Sequence, residues 1–197
     1  AKTLFDPSLE KDNCGFGLIA QRNGKRSRKL VKKSILGLTS MTHRGAIGAD
    51  GKTGDGCGLL FDLNHSFFKL KVDKELDVEL PDFFAVAQLF HKNDIDFYYS
   101  SISKFLNSQD LEIAVTRSVP VNNEVLGKIA RQNLPNISQL FITSKNMNLN
   151  KERFEACLLQ ARKFIEERFD NDEEFYVCSM STQTIVYKGL MLPSAID

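Results

Sequence analysis

The chain has 197 residues, of which 42% are apolar, 26% charged and 10% aromatic, proportions that exclude a chain disordered throughout. Its 26 basic residues nearly balance 25 acidic ones, so its net charge of +1 does not indicate nucleic acid or an anionic membrane as a partner. No apolar run reaches the roughly 20 residues that span a bilayer, and the polar N-terminus carries no signal-peptide core.

The first third of the chain is predicted to contain a strand, a helix and a glycine-rich loop. Residues 15–21 (GFGLIAQ) are typical of a short buried strand, and Asn23-Gly24 predicts a turn after it. Residues 28–41 repeat apolar side chains at helical spacing, which predicts a helix. Seven of the 12 glycines then lie between Gly37 and Gly58. Because glycine permits positive φ and close backbone approach, we expect a shaped loop here, either lining a site or making a multi-turn connection.

Strands and helices alternate in the rest of the chain. Strands are predicted over residues 59–63, 83–90, 111–119 and 139–143. Helices are predicted over residues 94–106, 125–132 and 151–169, the last with Asn150 as its N-cap. Two final strands, 175–179 and 184–188, are predicted to pair as a closing hairpin. This mixture predicts an α+β protein with at least partly antiparallel sheets.

One segment, residues 46–53 (AIGADGKT), fits a relaxed phosphate-loop pattern and would indicate a nucleotide-binding protein. A phosphate loop must leave a strand and enter a helix, so that backbone N–H groups face the phosphates. Here a predicted helix precedes the segment and a strand follows it. Asp50 would also repel phosphate. Nucleotide binding therefore remains a disfavoured alternative.

Two further kinds of site are disfavoured by spacing. Residues 22–33 hold seven basic side chains, but no aromatic residues interleave for base stacking, so a solvated surface is favoured over a nucleic-acid site. The histidines and cysteines show no zinc-ligand spacing, so we expect no metal. The four cysteines form no CxxC pair, and free thiols in a reducing cytoplasm are expected. They are Cys14, Cys57, Cys157 and Cys178.

A more specific constellation begins at Cys14, which precedes the first predicted strand and is flanked by small residues (NCGFG). The motifs His43-Arg44-Gly45 and Thr53-Gly54-Asp55-Gly56 follow the first predicted helix. The planar guanidinium of Arg44 suits a carboxylate ligand. The alternative for Arg44 is an ion pair that braces the glycine-rich loop.

Together, residues 14–21 (CGFGLIAQ) and 42–60 (THRGAIGADGKTGDGCGLL) resemble the start of the class II glutamine amidotransferase domain, most closely that of glutamate synthase large (alpha) subunits. Three later stretches extend the resemblance to the end of the chain: SVPVNNEVLGKIA, LPNISQLFI and FYVCSMSTQTIVYKGLM. The resemblance implies an N-terminal-nucleophile (Ntn) hydrolase fold, a four-layer α/β/β/α sandwich with mostly antiparallel sheets, incomplete in this chain. The helix over residues 28–41 would cover the first sheet.

The resemblance also implies a reaction, the hydrolysis of L-glutamine to glutamate and ammonia. Cys14 would be the nucleophile and would form a thioester. Residues 1–13 would be a propeptide whose removal frees the α-amino group of Cys14 as general base, leaving residues 14–197 as the N-terminal part of the domain. Arg44 would bind the substrate. The remaining residues expected to line the site are His43, Gly45, Gly54, Asp55 and Gly56.

Finally, the resemblance implies a larger enzyme. Ammonia would pass to 2-oxoglutarate in a synthase domain that carries FMN and an iron–sulfur cluster, neither of which is expected in this chain. Its partners would be the remainder of the large subunit and the small subunit. In such domains the oxyanion hole and most of the glutamine clamp follow later in the sequence, so we expect this chain by itself to have no useful glutaminase activity. The alternative function is a non-catalytic interaction or regulatory module that retains part of the fold.

Overall fold

The computed structural model describes residues 15–146 and 149–196, with the backbone only for Arg44. The described residues divide into two compact units. We call residues 15–57, 124–131 and 189–196 the glycine unit, and residues 58–123, 132–146 and 149–188 the sheet unit.

The sheet unit is built on a four-stranded sheet in the order β3-β4-β2-β5, in which all neighbouring strands are antiparallel. Its strands are β2 (Ala85–His91), β3 (Leu111–Ser118), β4 (Asn136–Ser144) and β5 (Tyr176–Ser181). Strand β2 is buried along almost its whole length, as expected for a central strand that is covered on both faces.

One face of this sheet is covered by helices α3 (Ile95–Ser108) and α5 (Lys151–Arg168). Both helices bury side chains at helical spacing, every four residues in α3 and at intervals of three and four in α5, so each presents one stripe to the sheet. In α5 these are Phe154, Cys157, Leu158, Ala161 and Ile165. Alternate residues of β2 (Ala85, Ala87 and Leu89) complete the same apolar core.

The opposite face packs against helix α2 (His65–Leu76) and a two-stranded sheet of β1 (Cys57–Asp62) and β6 (Thr184–Gly189). The second core there joins Phe68 and Val72 of α2 to Phe141 of β4 and Ile185 of β6. These layers, together with the antiparallel pairing, confirm the predicted α+β class and are consistent with an Ntn-hydrolase-like fold.

A row of buried polar side chains crosses all four strands on this second face: Arg117, Gln139, Gln88 and Ser179. Arg117 Nη1 donates to Gln139 Oε1 at 3.1 Å, and Gln139 Nε2 donates to Gln88 Oε1 at 3.0 Å. The row is also bonded to β6, because Gln88 Nε2 donates to the carbonyl of Val186 at 2.9 Å. Arg117 Nε also pairs with Glu75 of α2 at 2.6 Å, so the row links sheet, helix and second sheet.

The glycine unit begins with residues 15–27, followed by helix α1 (Arg28–Ser40). Ser27 caps α1 by accepting a hydrogen bond from the backbone N–H of Leu30 at 3.2 Å. The apolar side chains of α1 are at most half-buried, and the helix packs against a 3-10 turn, Pro193–Ala195. A second 3-10 turn, Thr42–Arg44, follows α1 directly. The remaining helix, α4 (Lys128–Gln132), is short.

Most predicted helices and strands are confirmed, with shifts of a few residues at their ends, but three predictions are wrong. Residues 15–21 form no strand, and Phe16 and Leu18 are 92% and 88% exposed. The predicted helix over residues 125–132 is split into a 3-10 turn, Asn123–Val125, and α4. The two last strands exist but lie in different sheets, because β5 pairs with β2 and β6 with β1.

Helix α2 was not predicted from the sequence. Asn64 caps it by accepting from the backbone N–H of Phe67 at 3.2 Å, and Phe68 and Val72 are its buried residues. Its other apolar side chains, Phe67, Leu70 and Leu76, are 50%, 71% and 38% exposed, which obscures the helical stripe. Across the described ranges, no helix has the length and apolar character needed to cross a bilayer.

Candidate functional site

The structure gives partial information on the two principal predicted site residues. Cys14 lies outside the described residues. Arg44 is the last residue of the 3-10 turn Thr42–Arg44, which is closed by a hydrogen bond from the N–H of Gly45 to the carbonyl of Thr42 at 3.2 Å. His43 lies in the same turn with an exposed side chain, and Gly45 is extended. The chain therefore passes from helix α1 through Arg44 into an extended segment.

That extended segment is one arm of a small hairpin, residues 46–55, which we call the glycine hairpin. Its arms are joined by an antiparallel bridge between Ile47 and Gly54. The N–H of Gly48 donates to the carbonyl of Thr53 at 2.7 Å. At its base, the N–H of Ala46 donates to Asp55 Oδ2 at 2.7 Å. The carboxylate of Asp55 thus fixes the backbone two residues after Arg44.

The tip of the glycine hairpin is organised by the carboxylate of Asp50. Its Oδ1 accepts from the backbone N–H groups of Lys52 and Thr53 at 3.0 and 2.8 Å. Its Oδ2 accepts from Thr53 Oγ1 at 2.7 Å and from the N–H of Ile129 at 3.0 Å. These hydrogen bonds, led by that of the Thr53 hydroxyl, hold the pKa of the Asp50 carboxyl well below its ordinary range.

The Asp50 contacts attach the hairpin to a segment almost 80 residues away in the chain. Thr53 Oγ1 also accepts from the N–H of Ala130 at 3.3 Å. A Cβ built on Gly127 would lie 2.5 Å from Asp50 Oδ2, so a glycine is required for the close approach. We call this contact, made by Asp50, Thr53, Gly127, Ile129 and Ala130, the hairpin junction.

The base of the hairpin packs against a second distant segment, residues 189–192. A Cβ on Gly54 would lie 3.0 Å from the carbonyl oxygen of Met191. Gly56 has φ = +114°, a conformation that favours glycine. Cys57 Sγ donates to the carbonyl of Met191 at 3.3 Å. Glycine is therefore needed at position 54 for the close approach of another backbone segment, and at position 56 for its positive φ.

The phosphate-loop interpretation is excluded by this geometry. No helix follows Thr53, because the chain continues through Gly54 and Gly56 into β1. The backbone N–H groups of Lys52 and Thr53, which would have faced a phosphate, already donate to Asp50. The hairpin carries its own carboxylate in place of an anionic ligand.

Two of the described cysteines, Cys57 and Cys178, are not activated thiols. Burial raises the pKa of Cys57 and Cys178, which disfavours the thiolate. Cys157 is buried in the apolar core of the sheet unit. Within the part of the chain that the structure describes, no cluster of three or more histidine, cysteine or acidic side chains could hold a metal ion.

Comparison with known proteins identifies the family. A model of the class II glutamine amidotransferases matches residues 14–197, so the match begins at Cys14. The chain belongs to the class II glutamine amidotransferases. It is 38% identical to the ferredoxin-dependent glutamate synthase of Pyropia yezoensis and 33% identical to the NADH glutamate synthase of Saccharomyces cerevisiae. It is 34% identical to the large chain of the NADPH glutamate synthase of Bacillus subtilis.

These relatives are far longer than the chain. The matches cover 97% of this chain and 13% of the Pyropia protein, and 98% and 10% for the Saccharomyces protein. For the Bacillus protein the shares are 100% and 13%. The chain therefore spans about a tenth of the length of the relatives it matches.

Of the residues predicted to line a site, Gly54 and Asp55 lie in the glycine hairpin, and His43, Gly45 and Gly56 lie beside it. That they line a substrate site stays a prediction. The hairpin junction was not predicted, because its partner residues lie at 127–130. A local signal was present for part of this arrangement, since an aspartate in a turn commonly accepts from the backbone N–H two residues on, as Asp50 does from Lys52.

Proposed function

We propose that the chain is the glutaminase part of a glutamate synthase, which hydrolyses L-glutamine and delivers ammonia to a separate synthase domain. The observation that carries the proposal is the family match over residues 14–197, which starts at the predicted nucleophile. That several relatives are glutamate synthases with three different electron donors supports the choice of this enzyme within the family.

In the proposed reaction the thiol of Cys14 attacks the side-chain amide carbon of glutamine. The α-amino group of Cys14 accepts the thiol proton and passes it to the departing ammonia, leaving a γ-glutamyl thioester. Water then hydrolyses the thioester to glutamate and regenerates the thiol. An α-amino group suits this role because its ordinary pKa of about 7.7 to 8 lies near working pH.

This mechanism requires Cys14 to be the first residue of the mature chain, so residues 1–13 are proposed to be a removable propeptide. An amide nitrogen in the Asn13–Cys14 bond could not accept the proton. Arg44 is proposed to bind the carboxylate of glutamine through its planar guanidinium. The ammonia would react with 2-oxoglutarate in a domain that holds FMN and an iron–sulfur cluster, in the cytoplasm and together with a small subunit.

The proposal is tested on the full-length protein by substituting the nucleophile. Cys14→Ala should abolish glutamine-dependent glutamate formation and leave ammonia-dependent formation intact, because only ammonia release requires the thiol. Intact-mass measurement should show loss of residues 1–13 and a single adduct after treatment with an electrophilic glutamine analogue.

Cys178→Ser provides a matched control, because its buried side chain can keep the hydrogen bond to the carbonyl of Val186. This variant should retain both activities and the adduct. Normal glutamine turnover by Cys14→Ala would refute the assignment. Absence of both labelling and glutamine turnover in the unaltered protein would favour a non-catalytic module.

A further inference from the structure

The described part of the glycine unit has very little core, and all of it lies at one place. Among its described residues only five are buried, and they lie at or beside the hairpin junction: Thr53, Gly54, Leu126, Gly127 and Ala130. Helix α1 contributes no fully buried residue. The position of the glycine hairpin therefore depends on a small number of polar contacts and close backbone approaches.

The hairpin continues directly from the predicted substrate-binding arginine. Arg44 ends the 3-10 turn, Gly45 is extended, and Ala46 is bound by Asp55 at the base of the hairpin. A displacement of the hairpin must consequently move the backbone of Arg44 or strain this short connection. Small displacements at such a residue weaken the binding of a carboxylate, because bidentate hydrogen bonds depend on geometry.

We propose that Asp50 and Thr53 are positioning residues for glutamine, which pin the glycine hairpin to residues 127–130 and thereby hold Arg44 in place for the substrate carboxylate. This inference rests on the proposed function. Asp50 accepts four hydrogen bonds within or across the junction, and the Thr53 hydroxyl both donates to Asp50 and accepts from Ala130. Neither residue touches glutamine in this role.

Two substitutions break the junction in different ways. Asp50→Asn replaces one carboxylate oxygen with an NH2 group, which turns a donor towards the N–H of Ile129 or towards those of Lys52 and Thr53. Thr53→Val keeps the side-chain shape but removes the hydroxyl, so Ala130 loses its acceptor and Asp50 loses a donor. Thr53→Ser restores the hydroxyl and is the conservative rescue.

The experiment measures glutamine-dependent and ammonia-dependent activity of the full-length protein. In Asp50→Asn and Thr53→Val the KM for glutamine should rise about tenfold. This is the usual factor when a hydrogen bond to a charged group is lost, here one between a displaced Arg44 and the substrate carboxylate. The kcat should change by less than about twofold, because in this proposal Arg44 binds the glutamine carboxylate equally in the ground state and in the transition state. Ammonia-dependent activity should be unchanged, and Thr53→Ser should have nearly the original KM.

Asp82→Asn is the matched control. Asp82 is a fully solvated aspartate of the sheet unit whose partner is Lys69, at 2.6 Å. The Asp82→Asn variant should have an unchanged KM for glutamine. The positioning role is overturned if Asp50→Asn and Thr53→Val keep the original KM, or if both activities fall together, since the latter indicates general misfolding. Failure of the proposed function differs visibly, because the unaltered protein would then show no glutamine turnover.

Discussion

The two units of the chain are stabilised by different means. The sheet unit places a buried strand, β2, between two apolar cores, so its stability comes chiefly from the removal of apolar surface from water. In the glycine unit the described buried residues are confined to the hairpin junction and the adjoining Leu126 and Gly54, and hydrogen bonds to Asp50 and Asp55 set the backbone. The predicted site residues His43, Arg44 and Gly54–Gly56 belong to the second kind of structure.

This difference has a physical consequence for function. An apolar core tolerates variation in contacts at its surface, whereas a loop held by a few directional hydrogen bonds loses its geometry when one is removed. A substitution in the sheet unit should therefore change stability first. A substitution at the hairpin junction should change substrate binding first.

The largest effect is expected from the apolar core of the sheet unit. Phe154→Ala removes a fully buried ring of α5 that contacts Phe83 and leaves a cavity. The free energy of unfolding should fall by about 3–5 kcal/mol, measured by urea titration. Leu159→Ala is the control on the same helix, because Leu159 is 56% exposed. It should change stability by less than about 0.5 kcal/mol. Similar losses in both variants would contradict the helix orientation.

A smaller effect is expected from the polar row that crosses the central sheet. Arg117→Met leaves Gln139 Oε1 without its donor from Arg117 in a buried position. Such a loss typically costs about 1–3 kcal/mol. Lys71→Met is the control, since Lys71 pairs with the same Glu75 at 2.7 Å but is more exposed. It should cost at most about 0.5 kcal/mol.

The same polar row should also make the stability of the protein depend on pH in acid. Hydrogen bonds from Arg117 and then Lys71 lower the pKa of Glu75 from its ordinary 4.5 to about 2. Because the folded pKa is the lower one, this contribution to stability is complete above about pH 4.5 and is lost as the pH falls through about 2. Arg117→Met should flatten the stability profile in that window. An unchanged profile would show that Arg117 does not set the pKa.

The sheet unit was largely predictable from the sequence because its signals are local. Apolar spacing located α3 and α5, and Asn150 was correctly identified as the N-cap of α5, where it accepts from the N–H of Arg153 at 2.8 Å. Pairing was not local. The last two strands follow one another closely, but the chain passes from one sheet to the other between them. At that point Glu155 of α5, which is distant in the sequence, accepts hydrogen bonds from Ser181 Oγ and from the N–H of Thr182.

The glycine unit was predictable in composition but not in structure. Glycine density correctly predicted a shaped loop, which lies between the end of α1 at Ser40 and the start of β1 at Cys57. The turn at Asn23-Gly24 is confirmed by a hydrogen bond from Gly24 to Gln21 at 2.9 Å. Nothing in local periodicity shows that Asp50 bonds to Ile129. The prediction of a short buried strand over residues 15–21 is wrong, because those residues are exposed in the described structure. The roles of Cys14 and Arg44 remain predictions from the family resemblance.

The smallest effect compares matched N-caps in the two units. Ser27→Ala and Asn150→Ala each remove one side-chain acceptor at a helix N-terminus, worth about 1 kcal/mol. Helix α5 buries five side chains, so its first turn should stay closed without the cap. Helix α1 buries none, so its first turn should open locally. Hydrogen exchange at the Val31 amide should accelerate about fivefold or more in Ser27→Ala, while exchange at the Phe154 amide in Asn150→Ala should change far less. Equal acceleration in both would mean that α1 is held as firmly as α5, and the contrast between the two units would then fail at this helix.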